Sequence, residues 1–71
     1  MTKNDIRRIW LTSDAVWIED TIGRQACEKF ADYASLSQAS EQMRQEFIVS
    51  FYGIHWPAID EDLSFDGFFA T

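Results

Sequence analysis

The sequence predicts a small α+β domain: a three- or four-stranded antiparallel sheet, one main helix and a short helical segment at the C-terminus. Three observations carry this. Ile6 to Leu11 and Ala15 to Glu19 alternate side-chain character with a period of two, the pattern of a half-buried strand. Ser40 stands ahead of Glu41, Gln42, Met43 and Arg44, a capping residue before good helix formers. Phe65, Phe68 and Phe69 recur at helical spacing near the end of the chain.

In chain order, the first strand sets Ile9 and Leu11 against Arg8 and Trp10, and Thr12-Ser13-Asp14 turns the chain. The second strand sets Val16 and Ile18 against Ala15 and Trp17. Asp20-Thr21-Ile22-Gly23 reads as a hairpin loop whose glycine supplies a positive φ, and Arg24 to Phe30 is a third strand with weaker alternation. Residues Ala31 to Ala39 form a connector with one helical turn ending near Leu36. After the helix start at Ser40, residues 47–52 admit two readings: a fourth strand, preferred for the β-rich run Phe47-Ile48-Val49-Ser50-Phe51-Tyr52, or a helix continuing to about Val49. Residues 53–63 read as a shaped loop, because Gly53 frees the backbone, Pro57 fixes it and Trp56 is pushed toward an extended conformation by the proline after it. Asp62 or Ser64 would cap the final segment, Phe65 to Phe69.

A chain of 71 residues makes one domain, spanning 1–71, that buries only ~60% of the surface its unfolded form exposes. Cys27 is alone, so no internal disulfide supports it, and no Cys/His cluster offers zinc. Aromatic residues, 15% of the chain, are the available bulk for a core, and self-association stands as an alternative source of stability. No apolar run approaches the ~18 residues of a membrane span, and the N-terminus lacks the apolar core of a signal peptide; a cytoplasmic protein without membrane contact is expected. The formal charge is -6, and its placement is informative. Up to Arg44 there are seven acids and six bases; beyond it there are five acids and no base. Such a tail repels phosphate and attracts basic partners, which argues against direct nucleic-acid binding.

His55 is the one side chain that titrates near neutrality unaided, so it is the candidate for acid–base chemistry, with Ser50, Ser64 or Asp60 as conceivable companions. The preferred reading is a loop histidine bonded to backbone or packed beside Trp56. Asp60, Glu61 and Asp62 could join it around a metal, but their spacing matches no recognised metal loop, and no metal or other cofactor is expected. A solvated acidic turn or a partner contact accounts for them better. Trp10, Trp17 and Trp56 read first as core and second as interface anchors, with Trp10 and Trp17 on the more polar faces of their strands. Cys27 reads as a small apolar residue, and Arg7 and Arg8 as a charged edge that deters strand addition.

At Gly53-Ile54-His55-Trp56-Pro57 followed by Asp60-Glu61-Asp62-Leu63-Ser64, the chain resembles an uncharacterised bacterial family, the domain of unknown function twenty-four forty-two. The resemblance covers nearly the whole chain: Trp10-Leu11-Thr12 with Asp14-Ala15 and Trp17, Gly23-Arg24, Phe30-Ala31-Asp32-Tyr33 and Leu36 are similar to its other blocks. Where the family has a proline in Ala-Thr-Pro-Glu-Gln, this chain has Glu41. The resemblance implies a small α+β domain, often encoded beside a small partner protein as in a toxin–antitoxin pair, and carries no catalytic residues across. With the acidic tail, it leads to the expectation of a non-enzymatic, antitoxin-like module that binds a small basic protein. Asp60, Glu61, Asp62 and Asp66 are the expected rim contacts, with Trp56 or Phe68 as apolar anchors. A regulatory part of a DNA-binding complex is the alternative, and a His55-dependent hydrolase or metal-binding protein a more distant one.

Overall fold

A computed structural model describes residues 1–70. The first half is the expected meander: β1 (Ile6–Leu11), β2 (Ala15–Asp20) and β3 (Gln25–Lys29) form an antiparallel sheet with β2 in the centre. Ile9, Leu11, Val16, Ile18 and Ala26 share the core-facing side, because opposed residues of an antiparallel pair project to the same face. Register shifts between Ile6 and Arg8, leaving Arg7 unpaired in a bulge. That extra residue lets Ile6 and Ile9, which strict alternation would put on opposite faces, both pack against the core. Gly23 closes the β2–β3 turn at φ 93°, a conformation that suits glycine.

Two short helices follow. The helix α1 (Ala34–Gln38) buries Leu36 completely, and α2 (Glu41–Gln45) begins at Ser40, whose Oγ accepts the Met43 amide at 3.1 Å. The latter is no longer than α1, so the expected single main helix is instead a pair of single turns. Arg44 joins them: its Nε donates to the Leu36 carbonyl at 2.9 Å, and its terminal nitrogens donate to Ser37 and Ser13 carbonyls. A cation thereby satisfies carbonyls left open at the end of α1.

The second half departs from the sequence reading. The fourth strand is present but reduced to β4 (Ile48–Val49), and residues 53–63 are not one loop. Gly53–Trp56 is β5, the central strand of a second antiparallel sheet; Pro57–Ile59 is a single helical turn; Glu61–Ser64 is β6. One sheet of three or four strands is thus replaced by two sheets of three. The physical reason lies in Gly53 and Pro57. Gly53 is needed for close approach to β6, not for a turn, and Pro57 sits just past the strand, where its missing amide costs no ladder hydrogen bond. Trp56 is extended, as the residue before a proline should be, and here that conformation is a strand. Asp60 reverses the chain at φ 51°, a left-handed conformation that aspartate tolerates better than most residues. Finally α3 (Phe65–Phe69) starts at Ser64, whose Oγ accepts the Gly67 amide at 3.0 Å.

The core forms where the sheets and helices meet. Val16 and Ile18 come from the first sheet, Ile54, Trp56 and Leu63 from the second, and Phe30, Leu36, Phe65 and Phe68 complete the cluster. No helix among the described residues is long and apolar enough to cross a membrane.

Candidate functional site

The second sheet gathers most of the residues singled out in the sequence. Opposed positions run Ile48, His55, Asp62 across its outer face, while Val49, Ile54 and Leu63 share the other face, Ile54 and Leu63 buried and Val49 half-exposed at the edge. Alternation therefore sends Trp56 inward with Ile54. It is wholly buried, its ring centroid lies 5.9 Å from that of Phe47, and its indole N–H donates to the Arg44 carbonyl at 2.8 Å. Phe68 is 6% exposed and belongs to the same core. Neither can anchor a partner on this surface, and both are corrected to core residues. The apolar side chains that do stand in solvent are Ile48, Val49, Phe51 and Tyr52 in this half of the chain, the last 66% exposed, and Ile22 in the hairpin. The β-rich composition of residues 47–52 was their signal in the sequence. That composition served an exposed edge, not a long paired strand.

The four acids are dispersed in role. Asp62 Oδ1 lies 2.6 Å from His55 Nδ1, at hydrogen-bond distance, and the Asp62 side chain is three-quarters in solvent. Glu61, half-buried, accepts the Ser35 hydroxyl at 2.6 Å, which ties β6 to α1. Asp66 pairs with the Met1 amine at 2.6 Å. Asp60 is exposed at its turn and makes no ion pair among the described residues.

His55 with a carboxylate on Nδ1 has the orientation of the base in a nucleophile–base–acid triad, where the other nitrogen must reach a hydroxyl. The nearby hydroxyls are committed elsewhere: Ser50 Oγ donates to the Gly53 carbonyl at 3.1 Å and Ser64 Oγ caps α3. The hollow beside them, about 200 Å³, is lined by Ser50, Tyr52, Gly53, Ile54, Asp62, Leu63 and Ser64, and does not include His55. Among the described residues Asp62 is the hydrogen-bond partner of the His55 ring, and no hydroxyl is bonded to it. Among the described residues no cluster of three or more metal-ligating side chains occurs, and Glu61 and Asp62 bond to separate partners, Ser35 and His55.

Sequence reasoning missed a second polar cluster, at the end of β2. Glu19 and Asp20 are consecutive buried acids in the central strand of the first sheet. Glu19 accepts from Gln25 at 3.0 Å and from Arg7 and Arg8 at 3.2 Å each. Asp20 accepts from the Arg24 side chain at 2.6 Å and from the Arg24 and Ile22 amides. The hydrogen bond from Gln25 and the charges of Arg8 and Arg7 hold the Glu19 carboxyl below the usual carboxylate range, against the effect of burial. Burial is the largest single influence on Asp20 and pushes its carboxyl up. The bonds from Arg24 and the two amides together outweigh burial and leave Asp20 lowered. The signal available in sequence was the grouping of Arg7, Arg8 and Arg24 around a strand ending in two acids, but the hairpin register was needed to bring them together.

A carboxyl whose folded-state pKa is lowered contributes stability that is complete above its unfolded value and lost as pH falls through the folded value. The melting temperature should therefore hold steady down to about pH 5 and drop below about pH 4. Asp20→Asn should lower the neutral-pH melting temperature and shallow the acid slope, read by thermal denaturation across pH. An acid slope unchanged in this variant would contradict the assignment.

The fold is that of a small two-sheet α+β domain with an acidic, partly apolar face on its second sheet. The chain belongs to the family described as Protein of unknown function (DUF2442), whose model matches residues 6–71. Comparison with curated proteins and with solved structures finds no match in either.

Proposed function

We propose that this protein is an interaction module that binds and neutralises a small basic protein, in the manner of an antitoxin, by covering the partner's working surface in the cytoplasm. One observation carries the reading: exposed carboxylates and exposed apolar groups share the outer face of the second sheet. Ile48 and Asp62 stand in one row, Tyr52 borders the adjoining hollow with Asp62, and Asp60 projects at the turn into β6. Carboxylates at a rim accelerate encounter with a basic partner, while apolar area at the centre slows its release. Ile48 and Tyr52 take the anchoring role first expected of Trp56 and Phe68.

The test is co-purification of the tagged chain from its native host at low and moderate salt, followed by affinity measurement for any stoichiometric basic protein recovered. Replacing Asp60 and Asp62 by asparagine should weaken binding about tenfold, since each rim charge contributes up to ~1 kcal/mol, and should flatten its salt dependence. Unchanged affinity would remove the electrostatic basis of the reading. Recovery of the chain alone at both salts would remove the partner.

A further inference from the structure

A different surface carries charge of the opposite sign. In the first sheet β1 is an edge strand, and in the second β4 is an edge strand. Residues of both line one groove of about 330 Å³: Lys3, Ile6, Arg7, Arg8 and Ile9 on one side, Phe47 and Val49 on the other. At one end of this region the Lys3 amide donates to the Phe51 carbonyl at 2.7 Å, joining the chain before β1 to the chain after β4. The two strands themselves form no ladder. The arrangement is two open strand edges with apolar side chains between them and three cations at the rim, half of the bases in the chain.

Charge selects among candidate occupants. Arg7 and Arg8 share the single carboxylate of Glu19, and Lys3 has no ion pair among the described residues, so the rim is net positive in a chain whose formal charge is -6. Arg7 and Arg8 deter addition of a strand that brings no acids: a basic segment is repelled, and a wholly apolar one leaves the cations uncompensated. An extended segment alternating apolar and acidic side chains satisfies both requirements. Its period of two turns the apolar set toward Ile6, Ile9, Phe47 and Val49 and the acids toward the rim, while its backbone meets open strand edges. We propose that the β1–β4 groove is a docking site for an acidic β-strand of another protein, inserted between the two sheets and hydrogen-bonded to their edges. This surface is independent of the acidic face discussed above, and either can fail without the other.

The probe is a short synthetic peptide alternating valine and glutamate, with a valine–lysine peptide of equal length as control, titrated calorimetrically against the intact chain. Saturable binding of the acidic peptide alone is expected, with slowed amide hydrogen exchange in both β1 and β4. Lys3→Glu should weaken it by about fivefold. Val49→Asp, at a half-exposed position where folding should be little affected, should weaken it at least as much. Four outcomes would overturn the proposal: no binding, equal binding of both peptides, protection confined to the acidic face, or affinity indifferent to both substitutions. So would a self-associating chain whose contact, mapped by the same exchange measurement, occupies this groove.

Discussion

Gly53→Ala is expected to destabilise the second sheet severely. A Cβ at Gly53 would lie 2.2 Å from the Leu63 carbonyl oxygen and 3.0 Å from both the Leu63 carbonyl carbon and Ser64 Cα. All three are backbone atoms of β6, so no side-chain rotation relieves the contact; β5 and β6 must separate. Separation pulls Ile54 away from Leu63 and disturbs the core they share. Overpacking commonly costs 1–3 kcal/mol, and a clash against rigid backbone should cost about 3 kcal/mol or more. A domain of this size has only roughly 4–10 kcal/mol of stability to lose. Urea denaturation followed by circular dichroism should show a collapsed midpoint. Gly23→Ala is the informative comparison, because nothing lies within 4 Å of a Cβ there and only the positive φ opposes it. Its cost should be about 1 kcal/mol. Equal effects of the two substitutions would contradict the close approach of the strands.

The second large effect is expected of Trp56→Ala, which empties the largest fully buried side chain of the core. Large-to-small substitution of an aromatic residue costs about 3–5 kcal/mol, from lost transfer free energy and from the cavity left beside Phe47. Trp56→Phe separates packing from hydrogen bonding. It keeps much of the ring but leaves the Arg44 carbonyl without its indole donor, at about 1–3 kcal/mol. The order of stability should be wild type, Trp56→Phe, Trp56→Ala. If Trp56 were instead a surface anchor, both variants would keep the wild-type urea midpoint and lose only partner binding, so this pair tests the core position of Trp56 directly.

Local rules reached far into this chain where neighbouring residues decide the outcome. Alternation found β1 and β2, Gly23 found its turn, Ser40 found its cap, Ser64 is one of the two caps expected for α3, and the helical spacing of Phe65 to Phe69 matched that helix. The rules failed at residues 53–63. Glycine and proline there read locally as marks of irregular chain, whereas Gly53 is demanded by the proximity of β6 and Pro57 only limits the strand. A glycine required by tertiary contact and a glycine required by a turn look alike until the opposing strand is known. The same blindness applied to Glu19 and Asp20, whose burial depends on three arginines arriving across the hairpin and bulge.

The site followed the same division. The acids Asp60, Glu61, Asp62 and Asp66 and the single His55 were visible as residue types, and charge placement alone made a basic partner the natural expectation. Which of them share a face was not visible. Pairing of β5 with β6 sets His55 beside Asp62, and pairing of β4 with β5 adds Ile48 to that row. The sequence by itself determined the α+β class, the charge asymmetry, the first meander and the start of the helix after Ser40, because these depend on interactions within a few residues along the chain. Only the tertiary structure decided that there are two sheets, that Trp56 and Phe68 are core while Ile48 and Tyr52 stand in solvent, and that two open strand edges share a groove. Each of those outcomes depends on which distant segments meet, and a one-residue change of register would reverse the face every strand residue presents.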